Sequence, residues 1–302
     1  MSKTAKIWLA VGAALVVLGS ILFAGAMATC DWDFTKLSTV TYVTNTYKPR
    51  GEFDKISIDA ATTEIEMVLT EEDACRIVCF EAEKVKHSAS VENGTLVIDT
   101  VDTRKWYDHI CISLGTPKMT VYLPQSEYAS LQIETNTGDI TIARDFSFQT
   151  VAVEGDTSDV DCFASVTNAM EVELSTGDIY VNATTVGHLD LTTDTGDIKI
   201  HSANVKQDVE IETDTGAITL KNVVAAGRLS AQSDTGDVRF EDSDAARITV
   251  KTSTGDVSGT LLSEKVFITE TSTGRISVPK TATGGTCEIT TSTGDISIRI
   301  QQ

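Results

Sequence analysis

One corner motif governs what this chain can become: Thr-Gly-Asp, or a near copy, returns every 19 or 20 residues through the second half of the sequence. Aligned on the glycine, the copies fall at Gly138, Gly177, Gly196, Gly216, Gly236, Gly255, Gly274 and Gly294, with Ser158 standing in once. Self-similarity at a fixed short period is the signature of a solenoid, in which each repeat buries its apolar face only against its neighbours. One period is therefore one coil and not one domain.

Inside each period, apolar residues occupy the positions seven and five before the glycine and two and four after it, as Leu189, Leu191, Ile198 and Ile200 do around Gly196. Alternation at period two predicts half-buried strands on both sides of the corner. Nine coils at about 4.8 Å each give a rod about 43 Å long. No convincing helical period interrupts the repeats, so consecutive strands must run parallel, and the handedness rule for parallel crossovers predicts right-handed winding. The glycine is expected to supply a positive φ and the neighbouring aspartate to bond backbone amides. By parity with Leu191, Thr193 and Thr195 are both expected to point inward and stack on Thr213, Thr215 and Ser233 of following coils.

The N-terminus supplies an address. Ile7 to Ala28 is an uncharged apolar run behind Lys3 and Lys6, long enough to cross a bilayer as a helix of about 20 residues. Two other readings are a cleaved signal with Ala26-Met27-Ala28 as its site and a lipoprotein attached at Cys30. In each version residues 30–302 lie outside the cytoplasm. The chain divides into 1–29 (cytoplasmic tip and signal-anchor), 30–50 (threonine-rich stalk), 51–130 (irregular β-rich capping module) and 131–302 (solenoid).

Charge then narrows the partners. Removing Lys3 and Lys6 from 24 basic residues leaves 22 against 44 acidic ones, so the exported part carries about −22. Such a surface repels nucleic acid and anionic lipid. The six cysteines form no C-x-x-C pair and no Cys/His metal spacing. Cys162 and Cys287 fall on inward positions many coils apart, too far for a disulfide, which requires Cα atoms within about 7 Å. Cys75 and Cys79 share a strand face, and either could reach Cys111.

At this point the chain resembles the bacterial putative-adhesin family, a domain of unknown function in cell-envelope proteins. The resemblance covers residues 30–302 and rests on FDKISIDAATTEIEMVL, ENGTLVIDT, TRKWYDHI, PKMTVYLP and YASLQIETNTGDITI, the last running into the tandem corners. It implies an exported or membrane-attached all-β solenoid and offers no catalytic residues to carry over. Departures are local: Ser158 for glycine, and Ala217 and Arg275 for the corner aspartate.

Three functional readings follow. Asp194, Asp214 and Asp234 are expected to stack as one column before the corner, and Asp197 and Asp237 as a second column after it, which could bind Ca²⁺ weakly through carboxylate oxygens; no other cofactor is implied. Two acidic columns, Glu134, Glu154, Glu173, Glu212 and Glu270 and then Glu171, Asp190, Glu210 and Glu288, face outward and could serve as a binding face. Tyr180 is the one aromatic placed on the outer face after a corner. The patch Arg104, Trp106, Tyr107 and His109 reads as a packed loop or a partner contact. His87, His109, His188 and His201 have no partner at motif spacing, so carbohydrate-active catalysis is disfavoured.

The expected protein is a non-catalytic, membrane-anchored envelope module, held through residues 7–28, that binds a cell-wall component or an envelope protein or acts as a scaffold. The alternatives are an envelope stress or sensory accessory and a carbohydrate-active enzyme. With no cap after Ile300, the last coil, residues 287–302, is expected to leave an open edge for weak self-association.

Overall fold

The computed structural model describes residues 2–29, 31–33, 38–109, 113, 115–183 and 185–301. Helix α1 (Lys3–Thr29) carries the apolar run, long and apolar enough to cross a membrane, and among the described residues the elements after it are β-strands apart from a short 3-10 turn at Trp106–His109. Seven strands come first: β1 (Tyr42–Tyr47), β2 (Lys55–Thr62), β3 (Glu64–Thr70), β4 (Arg76–Ala82), β5 (Val85–Glu92), β6 (Thr95–Asp102) and β7 (Lys118–Pro124). The repeats follow as pairs around each corner, beginning with β8 (Glu127–Thr137) and β9 (Ile140–Ile142), β10 (Ser147–Thr157) and β11 (Val160–Cys162), then β12 (Ser165–Thr176) and β13 (Ile179–Val181). Next come β14 (Val186–Thr195), β15 (Ile198–His201), the two-residue β16 (Asn204–Val205), β17 (Val209–Thr215), β18 (Ile218–Lys221) and β19 (Val224–Thr235). Last are β20 (Val238–Thr254), shared by two coils, β21 (Val257–Leu261), β22 (Lys265–Thr273), β23 (Ile276–Ser277), β24 (Gly285–Thr293) and β25 (Ile296–Ile300).

Pairing between repeats is parallel and in register, with Leu189 beside Met170 and Val209, and Ile198 beside Ile179 and Ile218. The chain is thus the all-β solenoid expected. Leu189, Leu191, Ile198 and Ile200 are buried, as are Cys162 and Cys287. Cys75 and Cys79 are buried free thiols, while Cys30 and Cys111 lie outside the described residues.

The corner works differently from the expectation in two respects. Thr193, Thr213 and Ser233 are buried, but Thr195 and Thr215 are exposed. The phase break therefore falls before the glycine, at the unpaired Asp194 between the ladder positions Thr193 and Thr195. Each buried hydroxyl donates to the corner carbonyl of the preceding coil: Thr193 to Gly177 O at 3.1 Å, Thr213 to Gly196 O at 3.1 Å, and Ser233 to Gly216 O at 3.0 Å. That same carbonyl explains the glycine. A Cβ placed on Gly216 would sit 1.9 Å from Gly196 O, and one on Gly177 1.9 Å from Ser158 O. Gly138 and Gly177 hold the expected positive φ, at 134° and 141°, whereas Gly216, at 159°, is close to extended backbone, and there proximity of the neighbouring coil demands glycine.

The aspartate after the glycine has its own duty. The Asp178 carboxylate accepts the Asp197 amide at 2.8 Å, Asp197 accepts the Ala217 amide at 2.9 Å, and Asp237 accepts the Asp256 amide at 2.8 Å. A ladder of carboxylate-to-amide bonds thus climbs the corner, each rung joining adjacent coils. Ala217 breaks it, since it donates to Asp197 but has no carboxylate to offer Asp237. A second corner, six or seven residues after the glycine, uses left-handed Asp145, Ser202, Asn222 and Asp242.

Both ends of the ladder depart from sequence order. At the front, β2 and β3 stack directly on β8 and β9, so the solenoid extends into residues 55–70, ahead of the expected start at 131. Strands β6 and β7 then add outside β2 and β3, and antiparallel β5, β4 and β1 close that end. At the back, β24 pairs with β20 on one side and β22 on the other, while β25 lies between β21 and β23. The last coil in sequence is therefore interior from Gly285 to Ser297, so the open edge expected over residues 287–302 shrinks, among the described residues, to Ile298–Ile300, which pair with β21 alone. The outer coil is the one before it. Pro279, five residues after Gly274, has no amide to donate, and a coil containing it suits an edge that needs pairing on one side only. Gly285 lets β24 slip inside, because a Cβ there would lie 1.9 Å from Ala246 O.

Two outcomes follow for the detergent-solubilised chain. Gly216→Val forces a side chain into the neighbouring backbone and should cost about 2 kcal/mol or more; an unchanged melting temperature refutes the close-approach account. Ala217→Asp should instead close the ladder and add about 1 kcal/mol at neutral pH. The Asp197 carboxyl is held below its ordinary value chiefly by the Ala217 amide and then by Lys199, against the upward push of burial. A depressed carboxyl stabilises above its unfolded pKa and loses that contribution as pH falls through the folded value. The Ala217→Asp gain should accordingly be full near pH 7 and smaller near pH 3, as read by thermal unfolding at the two pH values.

Candidate functional site

The end of the rod next to α1 departs from the repeat, and its chemistry starts on β4. Ile77, Cys79 and Glu81 alternate with more exposed residues and all face the core, so an acid occupies a position that the strand pattern assigns to an apolar side chain. Glu81 is 0% exposed. Its Oε1 accepts Asn45 Nδ2 and the Tyr47 hydroxyl, both at 2.6 Å, and its Oε2 accepts the His87 amide and His87 Nδ1, both at 2.7 Å. Burial pushes this carboxyl up, but the bonds from Tyr47, Asn45 and His87 outweigh it and hold the group below its ordinary value. Tyr47 is raised in turn, by burial first and then by Glu81, and burial carries the Cys79 thiol up to about 12.

On its other ring nitrogen, His87 Nε2 lies 3.3 Å from Thr63 Oγ1. Thr63, His87 and Glu81 so line up in the order of a nucleophile, a base and an orienting acid. The surroundings do not suit acyl transfer: Thr63 is 4% exposed, and the two adjacent amides, of Thr63 and Glu64, already donate to Thr137 O and Pro117 O. No oxyanion could be received from them. The arrangement instead ties β1, β4 and β5 to the corner of β2 and β3.

Cys79, Glu81 and His87 are also the one group of three Cys, His, Asp or Glu residues, among the described residues, whose donor atoms lie within 4.8 Å of one another. The set does not fit a metal as it stands, because both Glu81 oxygens are saturated by donors and the 2.7 Å His87 to Glu81 separation is that of a hydrogen bond. Sequence reading left His87 without a partner; the signal for one was Glu81, in phase with Ile77 on an apolar strand.

Above His87 opens a cavity of about 530 Å³, within the usual range for small-ligand sites. Its walls come from the tether side (Thr39–Tyr42), the first corner (Ala61–Thr63), the β4–β5 turn (Ala82–Val85), and Arg104, Tyr107 and Asp108. Of the expected contact patch, Arg104 and Tyr107 therefore line the cavity. Trp106 is exposed with its ring 5.8 Å from that of Tyr107, and the His109 side chain lies outside the described residues. The turn is held by the Lys105 amide on Asp108 Oδ2 at 2.9 Å and by Lys84 Nζ on Asp108 Oδ1 at 2.5 Å, while the Arg104 guanidinium grips Asp102. The Lys84 bond holds Asp108 low, and Asp108 holds Lys84 high.

The other expected sites lie along the rod. Asp194, Asp214 and Asp234 are exposed before their corners, while Asp197 and Asp237 serve as ladder acceptors, with Lys199 Nζ 3.0 Å from Asp197 and 3.6 Å from Asp178. The glycines occupy the corners throughout. Glu134, Glu154 and Glu173 face outward in neighbouring coils and, with Asp194, line a shallow groove. Tyr180 is half-buried, its hydroxyl 3.2 Å from His201 Nδ1 and its ring edge-on to Phe163.

Removing the buried acid gives a direct test of the cap. Glu81→Ala strands four side-chain or backbone donors, from Asn45, Tyr47 and His87, and should cost about 3 kcal/mol or more. Thermal unfolding reads it, and a shift within error would show that the network does not hold the cap.

Comparison with known proteins agrees with this architecture. Solved structures of a "putative adhesin" from Parabacteroides distasonis (10% identity, TM-score 0.51) and one from Parabacteroides merdae (11%, TM-score 0.50) share the fold. Each is covered to 98% of its length, over 86% and 87% of this chain respectively. Comparison with curated proteins gives no match. The sequence profile of one family, Toastrack DUF4097, matches residues 53–212 and again 204–302, and the chain belongs to that family.

Proposed function

We propose that this protein is a membrane-tethered module of the bacterial envelope that binds an envelope component at its cap and performs no catalysis. The cavity beside Tyr107 carries the reading, since it lies where antiparallel strands break the repeat and gathers polar groups from four separate segments. Helix α1 is the tether, with Lys3 and Lys6 retained in the cytoplasm and residues 30–302 outside. The name adhesin on the solved relatives is consistent with a binding role at a surface. The buried Thr63, already bonded to His87, speaks for a structural rather than a reactive base of the cavity.

Filling the cavity tests this. Thr62 lies exposed on its wall, and Thr62→Trp should weaken retention of the detergent-solubilised chain on isolated cell wall or purified envelope protein about tenfold, equivalent to ~1.4 kcal/mol. The melting temperature should not move. Undiminished retention would place binding elsewhere on the molecule, and release of soluble products from the wall would overturn the non-catalytic assignment.

A further inference from the structure

Outside α1, four aromatic side chains among the described residues are exposed: Trp32, Phe80, Trp106 and Tyr107. Trp32 lies in the connection from the helix and the other three in the cap, whereas the half-buried aromatics of the rod, such as Phe163 and Tyr180, pack on neighbouring rings. Trp106 is 79% exposed and Tyr107 50%, on a turn that its own hydrogen bonds hold in shape. A rigid surface turn that presents tryptophan and tyrosine to solvent is costly unless something covers it.

The chain supplies the candidate cover. Twelve residues separate Thr29 from Tyr42, a reach of at most about 40 Å. Tyr42 begins the strand that the tether enters, and it lines the same cavity as Tyr107. The aromatic turn is thus beside the point where the rod is tied to the helix. Its charge also fits: residues 102–109 carry Asp102 and Asp108 against Arg104 and Lys105, a balanced patch in an exported part of about −22. Tryptophan and tyrosine favour the headgroup level of a bilayer, where an apolar ring and a polar edge are both satisfied.

We propose that the turn bearing Trp106 and Tyr107 docks on the outer surface of the membrane, setting the cap against the lipid headgroups. This rests on the tethered reading above, and the sequence permits a test that separates the two, because its three tryptophans are Trp8, Trp32 and Trp106. The full-length chain carrying Trp8→Phe and Trp32→Phe leaves Trp106 as sole reporter; the chain carrying Trp32→Phe and Trp106→Phe leaves Trp8 inside the helix. All three side chains are exposed, so the replacements disturb no core packing, and Trp106→Phe keeps a ring beside Tyr107. Each variant is reconstituted into phosphatidylcholine vesicles containing lipids brominated either near the headgroup or at the chain end. The Trp106 reporter should lose fluorescence to bromines near the headgroup, and less to those at the chain end, with a blue-shifted maximum relative to the urea-unfolded chain. Quenching of Trp8 with none of Trp106 overturns the docking and leaves the tether standing. Quenching of neither shows that α1 is not in the bilayer, and both readings fall.

Discussion

The carbonyl oxygen of the corner residue is the contact on which the rest of the rod depends. It sits where the next coil's Cβ would be, so the next coil must carry glycine, and it also receives the buried hydroxyl of that coil's Thr193-type residue. One atom therefore sets both the identity of a residue and the depth of its neighbour. Strand pairing on either side follows, since fixing the corner fixes the register of the strands that enter and leave it. The aspartate after the glycine adds a charged acceptor to each rung. Bonds of this kind, made in half-exposed positions, give alignment as much as stability.

This explains why so much of the rod could be read from sequence. Inward and outward positions, the buried cysteines and the exposed glutamate columns all derive from a local alternation that every coil repeats. The fate of Thr195 could not be read so simply, because parity fails at the one residue, Asp194, that leaves the ladder. Nor could the second corner, which is filled in turn by Asp145, Ser202, Asn222 and Asp242. These residue types share tolerance of a left-handed backbone and no common letter.

The spatial order of the coils is a different kind of information. A repeat period says that one coil stacks on another but not which one, and both ends of this ladder place an interior coil at the end of the sequence segment. Strand β2 is flanked on both sides over Lys55–Asp59 and β25 over Ile296 and Ser297, so unzipping either end of the rod requires removing a coil held by chain in both directions. The buried Lys265 ammonium on Asp244, at 2.5 Å, reinforces that closure. Pro279 and Gly285 were visible signs of the inversion, legible once the cost of an unpaired amide and of a Cβ against a neighbouring carbonyl is considered at those positions.

The cap shows where such a fold can place particular chemistry. Translation along a solenoid gives each side chain a near-equivalent neighbour above and below, so a charge or ring in the rod tends to become part of a column, and columns of acids spread their field over the whole face. A distinct cavity needs residues whose neighbours are unlike them. Antiparallel closure supplies this at β1, β4 and β5, which bring Tyr47, Glu81 and His87 together from separate strands and join them to Thr63 on the first corner. That corner carries threonine where later corners carry glycine, and the hydroxyl reaches into the cap instead of onto another coil. The end of the repeat is thereby also the origin of the site: the position that closes each coil in the rod becomes, at its first occurrence, the floor of the cavity.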